Sequence, residues 1–348
     1  MYEVEFTVKH EPQSIAVTGI GGGAGQSIVK ALQSTTYRIV GLDGDLLGAG
    51  LYAVPSAYQI PYAKHPDFIS ALLDICAREK VAMLFPGLDA ELPILAANVD
   101  KFSAVGTRVV VSSSEVVEIA DNKLRTFETL RAANVSIPET VDLSAIATAQ
   151  ELPLAVPFIL KPRSGGARSK SVYLIKEERQ FHALRDNSSV DMTQFVAQAY
   201  IEGDEYTCGT VTLNGQHAGT IVMRRILRDG DTYKCFTVDD ARIEEEVAKV
   251  VAAVQPSGPL NVQLRVQNGV PYIFELNARC SGTTGARALA GFNEPQMIAD
   301  FFLKGHTPSF SIKPVSILRY WKELVVENDA ISRLREAGHI EATEHPQL

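Results

Sequence analysis

The sequence predicts a mixed α/β and α+β fold in which a domain with a parallel sheet precedes two further units. In the first part of the chain, short apolar strand patterns alternate with amphipathic helix patterns, which is typical of a parallel sheet covered on both faces. A smaller mixed unit follows at about 137–189, and the segment 195–311 is rich in strand patterns. The expected domains are 1–114, 115–194 and 195–348.

Strand and helix patterns alternate through the first domain. The spacing of apolar residues predicts a helix over 67–79, with Phe68, Leu72 and Ile75 on its buried face. A glycine-rich loop separates the first strand from the first helix, which is expected to end near Gln33. The expected strands are 14–18, 37–42, 81–85 and 108–111, and a further helix includes 92–98.

The other two units have different patterns. A helical stretch is expected from Ser114 to Asn134, before the small unit. In the third part, Asn214 and Asn268 each precede a glycine, and Asn-Gly favours a tight hairpin turn. An amphipathic helix pattern lies between these two turns. We therefore expect the third part to consist of hairpins with one helix among them.

Composition and charge argue against several classes of protein. The 348 residues include 33 basic and 41 acidic side chains, a net charge of -8, whereas nucleic-acid-binding proteins present a basic face. No apolar run approaches the ~18 residues of a membrane span. The four cysteines form no CxxC pair and no cluster with zinc-ligand spacing. We expect a cytoplasmic protein with reduced thiols and neither nucleic-acid nor membrane partners.

The glycine-rich loop after the first strand has the pattern of a dinucleotide site. Gly19 to Ala24 fit G-x-G-x-x-A between a strand and a helix, and Asp43 ends the next strand. Such glycines let the backbone approach a pyrophosphate, and the carboxylate would hold a ribose. The alternative is that the glycines only permit a tight turn. We favour the turn, because a better nucleotide site lies downstream and no hydride-transfer constellation accompanies the loop.

The downstream site begins at Lys161. Lys161 follows an apolar strand pattern. An unpaired charge at the end of a buried strand would have a high desolvation free energy, so a binding partner is expected for this lysine. The following loop, 164–169, combines glycine, serine and basic residues, and it can fold over a polyphosphate with its N–H groups and cations. Its residue order is not that of a P-loop. A solvated hairpin tip is the alternative interpretation.

A connector between two predicted strands adds a second block, from Phe195 to Tyr206. Its backbone N–H and C=O groups could meet the edge of an adenine, and Glu205 could accept hydrogen bonds from ribose hydroxyls. An acidic loop that is merely solvated is the alternative.

Oxygen-bearing side chains form the third block. Glu275 and Asn277 lie on one face of a predicted strand because strand side chains alternate, and Gln263 lies on the neighbouring strand. Oxygen donors that converge on one face suit Mg²⁺, which takes few protein ligands besides phosphate and water. Arg279 continues the same face. A polar outer sheet face is the alternative. The small loop that follows begins with Ser281 and Gly282.

Four motifs carry a family resemblance: LFPGLDAEL at 84–92, ADNK at 120–123, ELNAR at 275–279 and ILRYW at 317–321. With the three blocks above, and in this order, they resemble the ATP-grasp superfamily over nearly the whole chain. The likeness is greatest to single-unit proteins related to the large subunit of carbamoyl-phosphate synthase. The resemblance implies an N-terminal Rossmann-like, pre-ATP-grasp domain followed by a two-lobed ATP-grasp fold, with the small lobe in 115–194 and the large lobe and tail in 195–348.

The resemblance also implies roles for individual residues. ATP would be bound by Lys123, Lys161, Ser164, Gly165, Gly166, Ser169, Gln198, Ala199, Ile201 and Glu205. Mg²⁺, with Mn²⁺ as an alternative, would be held by Gln263, Glu275 and Asn277. Catalysis would rest on Arg279 and Arg225. Substrate contacts would come from Asp89, Glu91, Arg224, Lys234, Ser281 and Gly282. Gln263 departs from the acidic residue that most relatives have, and this lowers the charge of the metal site.

The function implied is an ATP-dependent carboxylate–amine or amino-acid ligase. Such an enzyme forms an acyl-phosphate from ATP and a carboxylate, then an amide, with release of ADP and phosphate. Its partners would be small-molecule carboxylates and amines, and a homodimer is expected. The alternatives are an enzyme that forms carbamoyl or carboxy phosphate from bicarbonate, and a nucleotide-binding regulator without turnover.

The acceptor site is expected at loops of the first domain, because ligands gather beyond the carboxyl ends of strands in open α/β sheets. Asp89 and Glu91 would give that pocket an acidic side suited to an ammonium group, and Arg279 and Arg225 a basic side suited to a carboxylate. A pocket with both charges favours an amino acid among the substrates. The alternative is that the two acidic residues only begin the helix that follows.

Overall fold

The computed structural model describes residues 12–145, 152–165, 171–187, 189–341 and 348. The predicted loop residues Gly166 and Ser169 lie outside the described residues. The strands are β1 Ser14–Thr18, β2 Arg38–Asp43, β3 Ser56–Gln59, β4 Val81–Phe85, β5 Arg108–Val109, β6 Thr140–Asp142, β7 Phe158–Pro162, β8 Tyr173–Ile175, β9 Phe195–Ala199, β10 Asp204–Leu213, β11 Gln216–Arg228, β12 Asp231–Thr237, β13 Gly258–Gln267, β14 Val270–Asn277, β15 Ser316–Leu318 and β16 His339–Glu341. The α-helices are α1 Gly23–Leu32, α2 Phe68–Arg78, α3 Leu92–Ala96, α4 Val99–Ala104, α5 Ser114–Asp121, α6 Lys123–Ala132, α7 Glu178–Arg185, α8 Ala241–Val254, α9 Thr284–Leu289, α10 Glu294–Lys304 and α11 Asn328–Ala337.

The first sheet has six strands in the order β16-β3-β2-β1-β4-β5. β1 to β5 run parallel, and β16 adds antiparallel to β3 at one edge. The central strand β1 is fully apolar in its middle, with Ile15, Ala16 and Val17 each 0% exposed. Chain order reverses on the two sides of β1, so the loops after β1 and β4 diverge at the edge where α/β proteins bind ligands.

Two antiparallel sheets follow. The smaller has four strands in the order β6-β9-β7-β8, and the larger has six in the order β14-β13-β10-β11-β12-β15. Helix α8 covers one face of the larger sheet, where Val247 and Val262 belong to one apolar core. Its other face joins the core of the first sheet through Val211, Ile221 and Met223, and it carries polar side chains on β13 and β14. Helix α1 of the first sheet packs against α9 and α10.

The predicted mixed fold class is confirmed, with a mainly parallel first sheet and antiparallel sheets after it. The helical stretch expected between Ser114 and Asn134 is two helices, because the Asn122 side chain accepts from Leu124 N and Arg125 N and begins a new helix. The strand expected at 108–111 is shorter, ending at Val109. Strands β3 and β16 were not expected from the sequence. The domain boundaries stay a prediction. None of the helices in the described residues has the length and apolar character that crossing a membrane requires.

Candidate nucleotide and acceptor site

The polar face of the larger antiparallel sheet brings the predicted metal ligands together. In the ladder of β13 and β14, Gln263 pairs with Glu275 and Asn261 pairs with Asn277. Since strand side chains alternate between faces, these four residues share one face of the sheet. The prediction that Gln263, Glu275 and Asn277 converge agrees with this geometry, and Asn261 is an additional member.

Lys161 is the penultimate residue of β7, and its side chain reaches the larger antiparallel sheet at Phe274. Its Nζ donates to Gln198 Oε1 at 2.8 Å and to the Phe274 carbonyl at 2.9 Å. Burial lowers the pKa of the Lys161 ammonium to about 8, although the nearby Glu275 carboxylate raises it. A buried ammonium held by two neutral acceptors keeps a third hydrogen for an anionic ligand.

Gln198 is a buried anchor for this lysine. Its Nε2 donates to Thr140 Oγ1 at 2.9 Å, so the amide orientation that serves Lys161 is fixed from the other side. The strand ends at Ala199, whose N–H donates to Glu139 O at 2.8 Å. In the connector that follows, the carbonyl of Ile201 accepts from Arg265 Nη1 at 3.3 Å. The predicted adenine residues therefore lie side by side at one strand end.

Lys123 joins the start of helix α6 to the start of the predicted phosphate loop. Its Nζ donates to the carbonyls of Gly165 at 2.6 Å and Asp121 at 3.1 Å. Asp121 Oδ1 in turn accepts from Gly165 N at 2.9 Å. Gly165 has a φ of +71°, a backbone region that favours glycine. Ser164 beside it is exposed. The structure thus brings Lys123, Ser164 and Gly165 together.

Glu205 is held between two arginines. Its Oε1 accepts from Arg225 Nε and Nη2 at 2.9 and 2.6 Å, and its Oε2 accepts from Arg265 Nε and Nη2 at 3.2 and 2.8 Å. A carboxylate has about four lone-pair positions, and these bonds use all of them. A ribose hydroxyl would therefore have to displace a guanidinium N–H to reach Glu205.

Arg279 pairs with the first domain. Its Nη2 donates to Asp89 Oδ2 at 2.6 Å, and its Nη1 donates to the Cys280 carbonyl at 2.9 Å. The Arg279 side chain is 13% exposed, and its buried Nε has no hydrogen-bond partner among the described residues. The same holds for Nε of Arg163 and Nε of Arg287, so the contact with Asp89 is what distinguishes Arg279.

Glu91 takes a different position from Asp89, two residues earlier. It is 3% exposed, and its Oε2 accepts from Thr18 Oγ1 at 2.5 Å. Burial raises the pKa of the Glu91 carboxyl to about 7, although the Thr18 hydrogen bond lowers it. The structure therefore places Asp89 beside Arg279 but directs Glu91 into the protein, beneath the loops.

The loop that begins at Ser281 packs against helix α1. Ser27 Oγ donates to the Gly282 carbonyl at 3.1 Å, and Gly285 N donates to Ser27 Oγ at 2.7 Å. Ser281 and Thr283 share a hydrogen bond between their hydroxyls at 2.6 Å. The loop thus lies between Arg279 and the first helix of the N-terminal domain, next to Gly23.

Two predicted substrate residues do not join this cluster. In the ladders, Arg224 lies opposite Tyr206 and Phe236, and Lys234 lies opposite Ile226. These positions belong to the face covered by helix α8, whereas Arg225 points to the polar face. The strand register, which puts successive side chains on opposite faces, thus separates Arg224 and Lys234 from Arg225, and their substrate contacts stay a prediction.

The glycine loop of the first domain is tied to its own aspartate. Asp43 Oδ2 accepts from Gly21 N at 2.6 Å, and Asp43 Oδ1 accepts from Asp45 N at 2.9 Å. A Cβ on Gly21 would lie 3.0 Å from Asp43 Oδ2 and from Gly48 Cα. The carboxylate that a dinucleotide ribose would need is thus engaged by the backbone, which supports the interpretation of the glycines as a tight turn.

Sequence reasoning missed several residues at this site. Asn261 and Arg265 lie on the same face of β13 as Gln263. Because side chains alternate between the two faces of a strand, the residues two before and two after Gln263 could have been assigned to this face from the sequence. Arg287 and Glu294 form a buried pair that contacts Asn261, and no pattern in the sequence connects them.

Comparison with known proteins matches two parts of the chain to described families. Residues 15–110 match the family model "PylC-like, N-terminal domain". Residues 191–323 match "ATP-grasp in the biosynthetic pathway with Ter operon". The second match, with the relatives described next, supports the ATP-grasp superfamily for this chain. The superfamily predicted from the sequence is thereby confirmed.

Individual relatives of this ATP-grasp chain are distant. D-alanine–D-alanine ligase A from Bacillus cereus is 25% identical over 232 residues, which cover 59% of this chain and 76% of that protein. The large chain of carbamoyl phosphate synthase from Rubrobacter xylanophilus is 23% identical over 312 residues, or 81% of this chain but 29% of that protein. N5-carboxyaminoimidazole synthetase from Staphylococcus aureus, complexed with ADP, superposes with a TM-score of 0.69 at 16% identity, covering 96% of this chain and 94% of that one. The structural likeness shows a shared ATP-grasp fold.

Proposed function

We propose that this ATP-grasp chain joins a carboxylate to an amine in a cleft between its N-terminal sheet and its larger antiparallel sheet. The predicted reaction class, an ATP-dependent ligase that forms a carbon–nitrogen bond, is confirmed by its family and its ligase relatives. The observation that carries the proposed location is the 2.6 Å ion pair between Arg279 and Asp89. This pair holds the Arg279 guanidinium beside the first domain. Arg279 follows Asn277 by two residues, so it lies next to the predicted metal ligands Glu275 and Asn277.

ATP is proposed to lie between the two antiparallel sheets. Lys161 and Lys123 supply cations for its phosphates, and Gly165 begins the loop beside them. The connector from Ala199 to Ile201 meets the adenine. Arg225 and Arg265 already occupy the hydrogen-bond acceptor positions of the Glu205 carboxylate. A ribose hydroxyl can donate to Glu205 only if one of these guanidinium hydrogen bonds breaks.

The donor set fits a magnesium ion at Glu275. Mg²⁺ in phosphate-transfer sites is held by one or two carboxylates together with phosphate oxygens and water, and Glu275 offers one carboxylate. When bound, the ion would neutralise charge on the β- and γ-phosphates. Mn²⁺ is an alternative with similar oxygen preference.

The proposed chemistry has two steps. A carboxylate oxygen of one substrate attacks the γ-phosphorus of ATP, the bond from that phosphorus to the bridging oxygen breaks, and ADP leaves. The amine nitrogen then attacks the acyl carbon, the carbon–oxygen bond to phosphate breaks, and the amine loses a proton. Phosphoryl transfer depends on positioning and charge stabilisation, which the arginine and lysines here can supply.

The measurement that tests this function is release of ADP with separate pools of candidate substrates. We expect ADP and phosphate to appear when amino acids and other carboxylates are supplied with amines. Release with bicarbonate alone would favour the carboxy-phosphate alternative, and no release with any pool would favour a regulator without turnover. A homodimer, the cytoplasmic location and the three domains at 1–114, 115–194 and 195–348 remain part of the proposal.

Nucleotide preference gives a first prediction. We expect Mg·ATP to raise the melting temperature of the protein and NAD to leave it unchanged. A ligand present at 100 times its Kd stabilises the folded state by about 2.7 kcal/mol, so the shift should be several degrees. A rise with NAD and none with Mg·ATP would contradict the assignment. Thermal unfolding with each nucleotide measures this directly.

The acidic side of the acceptor pocket gives a second prediction. Asp89→Asn should raise KM for the amine about fivefold and leave KM for ATP unchanged, because a partly exposed charge contributes modestly to binding an ammonium group. Asp89 is 34% exposed, and Asn keeps an acceptor for Arg279. Steady-state kinetics with each substrate varied in turn would measure both constants.

Glu91→Gln is the matched control. It makes the same carboxyl-to-amide change two residues away, at a buried side chain that accepts from Thr18 and does not face the cleft. We expect both KM values to match those of the wild type. Equal changes in the two variants would mean that Asp89 acts through the structure of its loop and not through contact with the amine.

A further inference from the structure

The segment between β15 and α11 exposes a cluster of large apolar side chains. Tyr320, Trp321 and Val325 are 83%, 85% and 89% exposed, the three highest values for large apolar side chains in the described residues. Neighbouring side chains of an extended segment point to opposite sides, so the exposure of both Tyr320 and Trp321 leaves neither side covered by the rest of the described chain. Clustered apolar groups that remain exposed mark an interaction surface.

The backbone of this segment is suited to pairing with another strand. β15 lies at the edge of the larger sheet and pairs with β12. Edge strands present N–H and C=O groups that a second chain can use. In the described backbone no residue between Gly305 and Gly338 has a positive φ, and no proline lies between Pro314 and α11. A strand of another chain can therefore add at this position.

The sequence of the segment complements itself. Residues 320–325 are, in order, Tyr320, Trp321, Lys322, Glu323, Leu324 and Val325. If a second copy runs antiparallel with its Glu323 opposite Lys322, then Trp321 lies opposite Leu324 of that copy and Tyr320 lies opposite its Val325. Apolar pairs and opposite charges are the cross-strand pairs that stabilise an antiparallel ladder. A two-fold contact requires a surface that matches itself in this way.

The charges around Lys322 favour the same partner. Burial lowers the pKa of the Lys30 ammonium, and Arg319 and Lys322 lower it further, so these three cations lie near one another. In the antiparallel arrangement the second copy brings its Glu323 to this basic cluster. Each copy supplies the charge that the other needs, because both side chains occur in each chain.

We propose that residues 320–325 form a two-fold interface with a second copy of this chain, in which the two segments pair antiparallel and Lys322 of each copy faces Glu323 of the other. The inference rests on the proposed function only for the homodimer named there, and the ligase reaction does not require it. A contact made by one segment of each chain is smaller than the ~1,600 Å² of a standard interface, so the dimer should dissociate on dilution.

The single tryptophan of the sequence reports on this interface. We expect sedimentation velocity to show a change from monomer to dimer as the protein concentration rises. Over the same range the fluorescence of Trp321 should shift to shorter wavelength and lose its quenching by acrylamide, since the second copy removes the indole from water. A monomer at every concentration, or a dimer with an unchanged Trp321 signal, overturns the interface.

Charge reversal tests the self-pairing itself. In a homodimer, Lys322→Glu sets carboxylates opposite each other, and Glu323→Lys sets ammonium groups opposite each other. Each variant alone should therefore raise the dimer Kd at least about tenfold. An equimolar mixture of the two variants restores both ion pairs, and its heterodimer should have a Kd close to that of the wild-type dimer. A partner other than a second copy predicts no recovery on mixing.

Lys176→Glu is the matched control for these reversals. Lys176 follows β8, is exposed and also precedes a glutamate, so its dimer Kd should equal that of the wild type. Unchanged Kd values in the reversals at Lys322 and Glu323, or a mixture that stays monomeric, overturn the interface. Release of ADP is measured separately on the wild-type protein. Its absence would refute the ligase reaction and leave the interface standing.

Discussion

Arg279→Ala is expected to lower kcat by roughly 10²–10³-fold and to leave KM for ATP nearly unchanged. Removing one donor that stabilises developing charge costs this much in other enzymes, and a contact made only in the transition state lowers kcat without changing ground-state binding. Arg279 follows Asn277 by two residues and contacts Asp89 at 2.6 Å, so its guanidinium lies between the predicted metal ligands and the loop that carries Asp89. Initial rates at saturating and limiting ATP measure both constants.

Controls separate chemistry from folding in this experiment. Arg279→Lys keeps a charge but not the planar fork of donors, so we expect it to recover only part of kcat. Arg333→Ala removes an exposed arginine paired with Asp329 on α11, far from the polar ladder, and should have wild-type kinetics. A loss of nucleotide affinity in Arg279→Ala without a loss of kcat would show that Arg279 binds ATP and does not act on the transferred group.

Much of the fold follows from local pattern. The strand from Val81 to Phe85 is an apolar run whose bounds were predicted from the sequence, and α2 begins at Phe68 where the helical spacing starts. By contrast, β16 has three residues, and it is held at the sheet edge by contacts across the chain, among them Arg38 with Glu341 at 3.2 Å. A strand that depends on partners about 300 residues away has no local signal.

The part of the site that could be predicted is the part that follows from the alternation of side chains between the two faces of a strand. Glu275 and Asn277 differ by two positions, so any strand there places them on one face. Which face Arg224 occupies depends on the register of three strands, and a shift of one residue reverses it. Gln263 accepts from Arg225, and Glu91 accepts from Thr18, in both cases from a side chain on another element. Strand register and contacts between distant elements arise from tertiary packing, so the spacing of residues in the sequence does not predict them.

Lys161→Ala is expected to weaken ATP binding about 10–100-fold, because a hydrogen bond to a charged group contributes about 1.5–3 kcal/mol. The lysine is also expected to confer a pH dependence. Burial lowers the pKa of Lys161 to about 8 in the free protein, so the ammonium is present below that pH and lost above it. The kcat/KM for ATP should therefore fall about tenfold per pH unit above pH 8, since this parameter reports groups of the free enzyme.

Lys161→Arg tests the cause of that pH profile. A guanidinium keeps its charge to beyond pH 12, so the variant, whatever its absolute rate, should show no decline of kcat/KM for ATP between pH 8 and 10. Unfolding does not explain the expected decline in the wild type. An unfolded lysine holds its proton up to the ordinary pKa of 10.5, so the unfolded state binds more protons and this group makes the free energy of unfolding rise between pH 8 and 10.5. A decline of the same steepness in both proteins would assign the titration to another group and would remove Lys161 as the phosphate-binding cation.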